Sequence, residues 1–160
     1  MSVILDSIFG DLQFDSIWTG RCEVFLFGEA LKVELIVQTF DDDPISDIQR
    51  VSFQEFESNK RSICHQVEQA VFDFYRKNIE SYRECFDREK ADVVAPEISS
   101  IGDLRELVSL RSIKVLTVFK GDERQIGFVF DATFDPELGV GVLLTNGCVE
   151  AVETQDFLLG

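Results

Sequence analysis

The sequence predicts an α+β fold: an antiparallel sheet of about six or seven strands, drawn from both chain ends and covered by helices from the middle. Three observations predict it. Apolar and polar residues alternate with period two before Thr39, and the β signal returns after Leu110. The segment between them carries apolar residues at helical spacing. Near the C-terminus, Asn146-Gly147 separates two β-rich runs, and both residues readily take the positive φ of a type I′ turn.

The N-terminal elements read from about Asp11. Cys22-Glu23-Val24-Phe25-Leu26-Phe27 and Leu31-Lys32-Val33-Glu34-Leu35-Ile36-Val37 form a hairpin across Gly28-Glu29, where a glycine at the first central position suits a type II′ turn. Leu31, Val33, Leu35 and Val37 alternate with Lys32, Glu34 and Gln38, so one face is buried and the other partly wet. Asp41-Asp42-Asp43-Pro44 ends the strand. Ser46 and Gln49 have capping-box spacing and start a helix. Its apolar positions Ile48, Val51, Phe56, Ile63, Val67, Val71 and Phe74 carry it to about Lys77, with a possible break at Glu57-Ser58-Asn59-Lys60. A further helical piece is expected at 81–89, a connection at Val93-Val94-Ala95-Pro96, and a short helix capped by Ser100 through Val108. Strands follow at 113–119, 125–132, 140–145 and 148–152, the first two joined by a turn at Lys120-Gly121-Asp122-Glu123.

With 160 residues and no internal repeat or linker, residues 1–160 read as a single domain. Such a chain buries roughly 70% of its unfolded surface, so its core needs no disulfide or metal. Hydrophobic residues make up 45%, and fifteen of the aromatics are Phe, which adds core area without a polar group to satisfy. No run approaches membrane-spanning length, and the N-terminus lacks the positive start of a signal peptide. The expected location is the cytoplasm. Cys22, Cys64, Cys85 and Cys148 form no C-x-x-C pair and read as reduced thiols packed as small hydrophobes.

The net charge is −15. Residues 1–47 hold ten acidic and two basic side chains, residues 125–160 hold six acidic and none basic, and the middle is nearly balanced. Binding to nucleic acid or to an anionic membrane is therefore not expected, since both depend on Lys and Arg. Attraction to a basic protein surface is expected instead. If the terminal strands share one sheet, the acidic ends meet in space.

No catalytic, cofactor or metal constellation stands out. His65 is the only histidine and falls off the main apolar stripe, and neighbouring Cys64 projects in another direction on a helix. Asp41-Asp42-Asp43 lacks the alternate spacing and glycine of a calcium loop and reads as an acidic turn before a helix N-terminus. Asp131, Asp135 and Glu137 surround a proline turn without a second ligand cluster. Gly139-Val140-Gly141 opens no helix, so it points to a bulge or a close backbone approach and not to a nucleotide site. Trp18 reads as a strand-end core residue.

The order Phe130-Asp131-Ala-Thr-Phe134-Asp135-Pro136-Glu137-Leu138-Gly139-Val140-Gly141-Val142, then Asn146-Gly147-x-Val149 and Gln155-Asp156, resembles a family of small acidic bacterial proteins. Their ending runs D-x-x-W/F-D-P-E-x-G-x-G/A-V, N-G-x-V and Q-D, with Phe134 here in the place of the usual tryptophan. Gly10-Asp11-Leu12, Asp15 and Trp18 are also similar. Proteins of this kind are found beside polymorphic toxin genes, including those of contact-dependent growth inhibition, and act as immunity proteins. The resemblance implies a cytoplasmic, non-enzymatic inhibitor that binds a cognate toxin domain with a basic surface. A nuclease, whose cleft must hold phosphates, is one such toxin. Candidate contacts are Asp41, Asp42, Asp43, Asp131, Asp135, Glu137, Glu150, Glu153 and Asp156, with the aromatic anchor unassigned. The alternative is an acidic adaptor or structural binding protein without a toxin partner; a third reading makes Asp131 and Asp135 the paired carboxylates of an enzyme.

Overall fold

The computed structural model describes residues 2–40, 43–117, 121 and 123–159. Asp41 and Asp42, strand positions Val118 and Phe119, and turn residues Lys120 and Asp122 lie outside the described residues. Eight strands form one sheet in sequence order: β1 Ser2–Asp6, β2 Gly10–Asp15, β3 Ile17–Leu26, β4 Glu29–Val37, β5 Val108–Val115, β6 Gln125–Ala132, β7 Val140–Thr145 and β8 Cys148–Glu153. The class is the predicted one, but the strand count is higher. β1 adds the unforeseen strand, because Val3-Ile4-Leu5 is a plain apolar run without the alternation that marks a half-buried strand.

Neighbouring strands are antiparallel except β4 and β5, where Glu34 lies opposite Ser112 and Val37 opposite Val115 in a parallel pair. Parallel neighbours need a long crossover, and the central helices supply it. They are α1 Asp47–Ser58, α2 Lys60–Glu84 and α3 Arg88–Val94, followed by a 3₁₀ helix, Ile101–Glu106. Because β5 restarts beside the beginning of β4, the β3–β4 turn, the start of β5, the end of β6 and the end of β8 share one end of the sheet. This is the hairpin end.

Local chemistry explains the helix boundaries. The Gln49 amide N–H donates to Ser46 Oγ at 3.1 Å, and the Ser46 N–H donates to Gln49 Oε1 at 3.0 Å, which completes the predicted capping box. Gln49 is buried, and its Nε2 donates to the carbonyls of Gln38 and Leu116, tying the helix start to the ends of β4 and β5. Asn59 separates α1 from α2 inside the predicted break. α2 then runs past the expected Lys77 to Glu84, and Val93 and Val94 belong to α3 instead of to a connection. Ser100 precedes a 3₁₀ helix held by Asp103, whose Oδ2 accepts from the Ser99 and Ser100 amides.

The helix-covered face holds the core. Val67, Val71 and Tyr75 of α2 and Phe53 and Phe56 of α1 are buried with Ile113, Val115, Phe128, Phe130 and Val142 of the sheet. Tyr75 also donates its hydroxyl to the Pro96 carbonyl at 2.6 Å, so a fully buried phenol keeps a partner. Helices cover only part of the other face. There α4, Asp156–Leu159, sits on β5 to β7, and Lys114 donates to the Leu158 carbonyl at 2.5 Å. A Cβ on Gly141 would come within 2.7 Å of Phe157 and 2.9 Å of Leu158, which confirms the close approach read from the sequence. Leu158 is almost fully buried there, a contribution of roughly 1.5–3 kcal/mol.

The β3–β4 turn differs from the predicted type. Leu26 pairs with Glu29, so the central residues are Phe27 and Gly28, not Gly28 and Glu29. Both have positive φ, +50° and +81°, the signature of type I′. Asn146-Gly147 adopts the predicted type I′ geometry, with φ of +52° and +83°.

Candidate partner-binding surface

Five of the nine predicted contact residues gather at the hairpin end. Asp131 pairs with Ser109 one residue before the end of β6, Asp135 and Glu137 lie in the β6–β7 connection, Glu153 pairs with Gly141, and Asp156 begins α4. Among the described residues only Asp131 of this group has a cationic partner, Arg111 at 4.0 Å. The remainder face solvent, apart from the partly covered Asp135.

Backbone chemistry builds this end. Asp135 Oδ1 accepts from the Leu138 amide at 3.2 Å and its carbonyl accepts from Gly139 at 2.8 Å, closing the proline turn. Gly139 has φ +56°, and a Cβ there would lie 2.2 Å from both Gln155 Nε2 and the Phe130 carbonyl oxygen. Gln155 is buried; its amide N–H donates to the Leu138 carbonyl and its Nε2 to the Phe130 carbonyl. Asp135, Gly139 and Gln155 therefore hold the loop and the C-terminal segment together. Phe134 points into the core, 4.7 Å centroid to centroid from both Tyr75 and Tyr82. Burial, helped by the Asp135 charge, pushes the Tyr82 phenol up to about 12.

The other predicted residues go elsewhere. Asp43 lies in the connection from β4 to α1, at the opposite end of the sheet, where its amide donates to the Phe40 carbonyl. Glu150 lies within β8 and accepts from the Thr145 hydroxyl. The acidic chain ends do share one sheet, but β1 and β8 are its opposite edges, so the two ends do not meet. The expectation of a single acidic face made from both ends is thus corrected to an acidic hairpin end built from the C-terminal tail. Asp131 lies on the strand face opposite to the buried Phe130 and Ala132, and the Asp135 charge acts on Tyr82 of α2. No metal-holding group of three or more His, Cys, Asp or Glu side chains is present among the described residues.

A cleft of ≈ 790 Å³ opens at the same end, between the β3–β4 turn, the start of α2 and the 3₁₀ helix. Phe25, Phe27 and Ile101 supply apolar lining; Lys60, Arg61 and His65 add polar groups. Phe25, on β3 at the margin of this cleft, is 63% exposed. Glu68 stands behind it, with Oε2 accepting the Phe27 amide at 2.5 Å and Oε1 3.4 Å from His65 Nδ1. Cys22 of β3 and Cys64 of α2 are buried nearby, and burial pushes both thiols up to about 11. Raising the thiol pKa disfavours the thiolate at neutral pH. Local pattern gave no sign of the cleft, since its walls come from three separate stretches of chain.

The family model described as Domain of unknown function (DUF6985) matches residues 8–159. The chain belongs to this family. No curated protein and no solved structure matches it. The matched span holds every strand of this DUF6985 chain except β1, together with the acidic hairpin end and the cleft. No helix among the described residues is long and apolar enough to cross a membrane.

Proposed function

We propose that this chain is a cytoplasmic immunity protein that binds and neutralises a cognate bacterial toxin domain through its acidic hairpin end. One observation carries the reading: Asp131, Asp135, Glu137, Glu153 and Asp156 share an end of the sheet with a single cationic partner, beside a cleft rimmed by the exposed Phe25. The carboxylates steer a basic partner, raising association toward about 10⁸ M⁻¹s⁻¹ at low salt. The cleft and Phe25 supply the apolar contact that outlasts electrostatic screening. A nuclease domain, with a phosphate-holding basic cleft, has the matching charge.

Coexpression with a candidate toxin encoded by a neighbouring gene tests the reading. Survival with the wild-type chain is expected, together with weakened protection when Asp135, Glu137 and Glu153 become amides. Killing that is equal with and without the chain would end it. The adaptor reading draws on a different observation, that Gly139 and Gln155 are explained by packing alone. On that reading the chain gives no protection, and its basic partners dissociate near physiological salt, where the screening length is about 8 Å.

A further inference from the structure

The two edges of the sheet are guarded differently. β8 is the protected edge: it carries Glu150 and Glu153, its register with β7 shifts between Leu143 and Leu144, and α2 packs beside it. Charges and irregular pairing of this kind stop a sheet edge from adding further strands. β1 is guarded less: it is five residues long, and its one charge, Asp6, lies at its last position. Its register with β2 is regular from Ser2 to Asp6, its sequence is Ser-Val-Ile-Leu-Asp, and among the described residues nothing pairs with its outer side.

Two details of β1 decide what fits this edge. The first is its charge. Asp6 is the only ionisable side chain of the strand, and it turns to the helix side, where Arg50 holds it through Nε at 3.1 Å and Nη2 at 2.9 Å. A basic strand would find no free carboxylate on β1 to meet, so the edge suits a neutral, apolar strand. The second is its symmetry. Placed antiparallel to itself about Ile4, β1 sets Val3 opposite Leu5 of the other copy twice, Ile4 opposite Ile4, and Ser2 opposite Asp6. Val3 and Leu5 share the face that α4 leaves bare and are 66% and 81% exposed, the combination that cross-strand apolar pairing removes from water.

We infer that β1 is a self-association edge: two copies of this chain join β1 to β1 antiparallel, making one continuous sheet of sixteen strands about a two-fold axis at Ile4. The aspartates of β2, Asp11 and Asp15, stand one strand back from the seam on each side, so no carboxylate lies in it except the paired Asp6. A seam of five residues is smaller than the roughly 1,200 Å² of a standard interface, so the dimer is weak and concentration-dependent. Each chain carries −15, so long-range repulsion opposes the contact and salt relieves it. This direction is the reverse of that for the acidic hairpin end, whose complex with a basic partner salt weakens. The inference is independent of the proposed immunity role.

Sedimentation velocity on the full chain, from about 10 μM to about 500 μM protein and at about 50 mM and 500 mM NaCl, tests it. The expected result is a mass that rises from the 18.2 kDa monomer toward twice that value, at lower protein concentration in the higher salt. The double variant Val3→Lys with Leu5→Lys changes two exposed side chains, keeps the fold by circular dichroism, and is expected to stay monomeric throughout. A wild-type chain that is monomeric at the highest concentration and salt overturns the inference. So does a lysine variant that dimerises like the wild type, or a wild-type mass that climbs beyond two chains.

Discussion

Glu68 Oε2 accepts the backbone N–H of Phe27 at 2.5 Å, so a carboxylate on α2 holds a β-turn residue forty-one positions earlier in the chain. Phe27 has φ +50°, a conformation that costs a bulky residue about 1–3 kcal/mol, and its ring is buried against Phe130 at 6.3 Å. Ring burial and the carboxylate together keep the turn in its type I′ form, and the turn in turn shapes the cleft below Phe25.

Replacing Glu68 by Ala leaves the Phe27 amide without its acceptor and is expected to cost about 1–3 kcal/mol. Glu68→Gln keeps a neutral acceptor in reach and is expected to lose less than half of that. Urea denaturation with unchanged m-values measures both. Equal losses for the two variants would show that the hydrogen bond does not hold the turn.

Gly139 and Gly147 both have positive φ, but their surroundings differ. A Cβ at Gly139 meets Gln155 Nε2 and the Phe130 carbonyl oxygen at 2.2 Å, while one at Gly147 meets nothing within 4 Å. Gly147→Ala therefore carries backbone strain alone, about 1 kcal/mol. Gly139→Ala adds a backbone clash and should cost about 2–4 kcal/mol, because the C-terminal segment must lift from the loop. Denaturation midpoints that fall equally for the two variants would contradict the seating of Gln155.

These contacts mark how far the sequence could be read. The Ser46–Gln49 box and the Asn146-Gly147 turn were legible because both partners lie within a few residues and the backbone geometry alone dictates the residue types. The parallel β4–β5 pair was not, since its direction depends on how far the helices carry the chain before β5 starts. That direction also sends Asp43 to one end of the sheet and Asp135 to the other, although the charge count of the two chain ends was read correctly. The cleft was hidden for a similar reason: Glu68, Phe27 and Ile101 come together only through tertiary packing.

Ser52 Oγ is buried in α1 with no hydrogen-bond partner among the described residues. A hydroxyl desolvated without compensation costs about 1–3 kcal/mol, and alanine also has the higher helix propensity. Ser52→Ala is expected to raise stability by about 1 kcal/mol, read as a higher denaturation midpoint. A loss of similar size would mean that the hydroxyl has a partner, such as an ordered water.

Asp6 couples this fold to acid. Burial alone would raise its carboxyl, but the hydrogen bonds from Arg50 and from the Ile8 and Phe9 amides, with the Arg50 charge, outweigh burial and hold it below its ordinary 3.8. A carboxyl lowered on folding binds its proton more tightly in the unfolded chain. Its contribution is therefore complete above 3.8 and is lost as pH falls through the lower folded value. Asp6→Asn removes the charge while keeping the shape, so it should be less stable than wild type near neutrality and the gap should close as pH falls below 3.8. Parallel stability curves for the two proteins across that range would place the acid response in other carboxylates and leave the Asp6–Arg50 pair without a role in it.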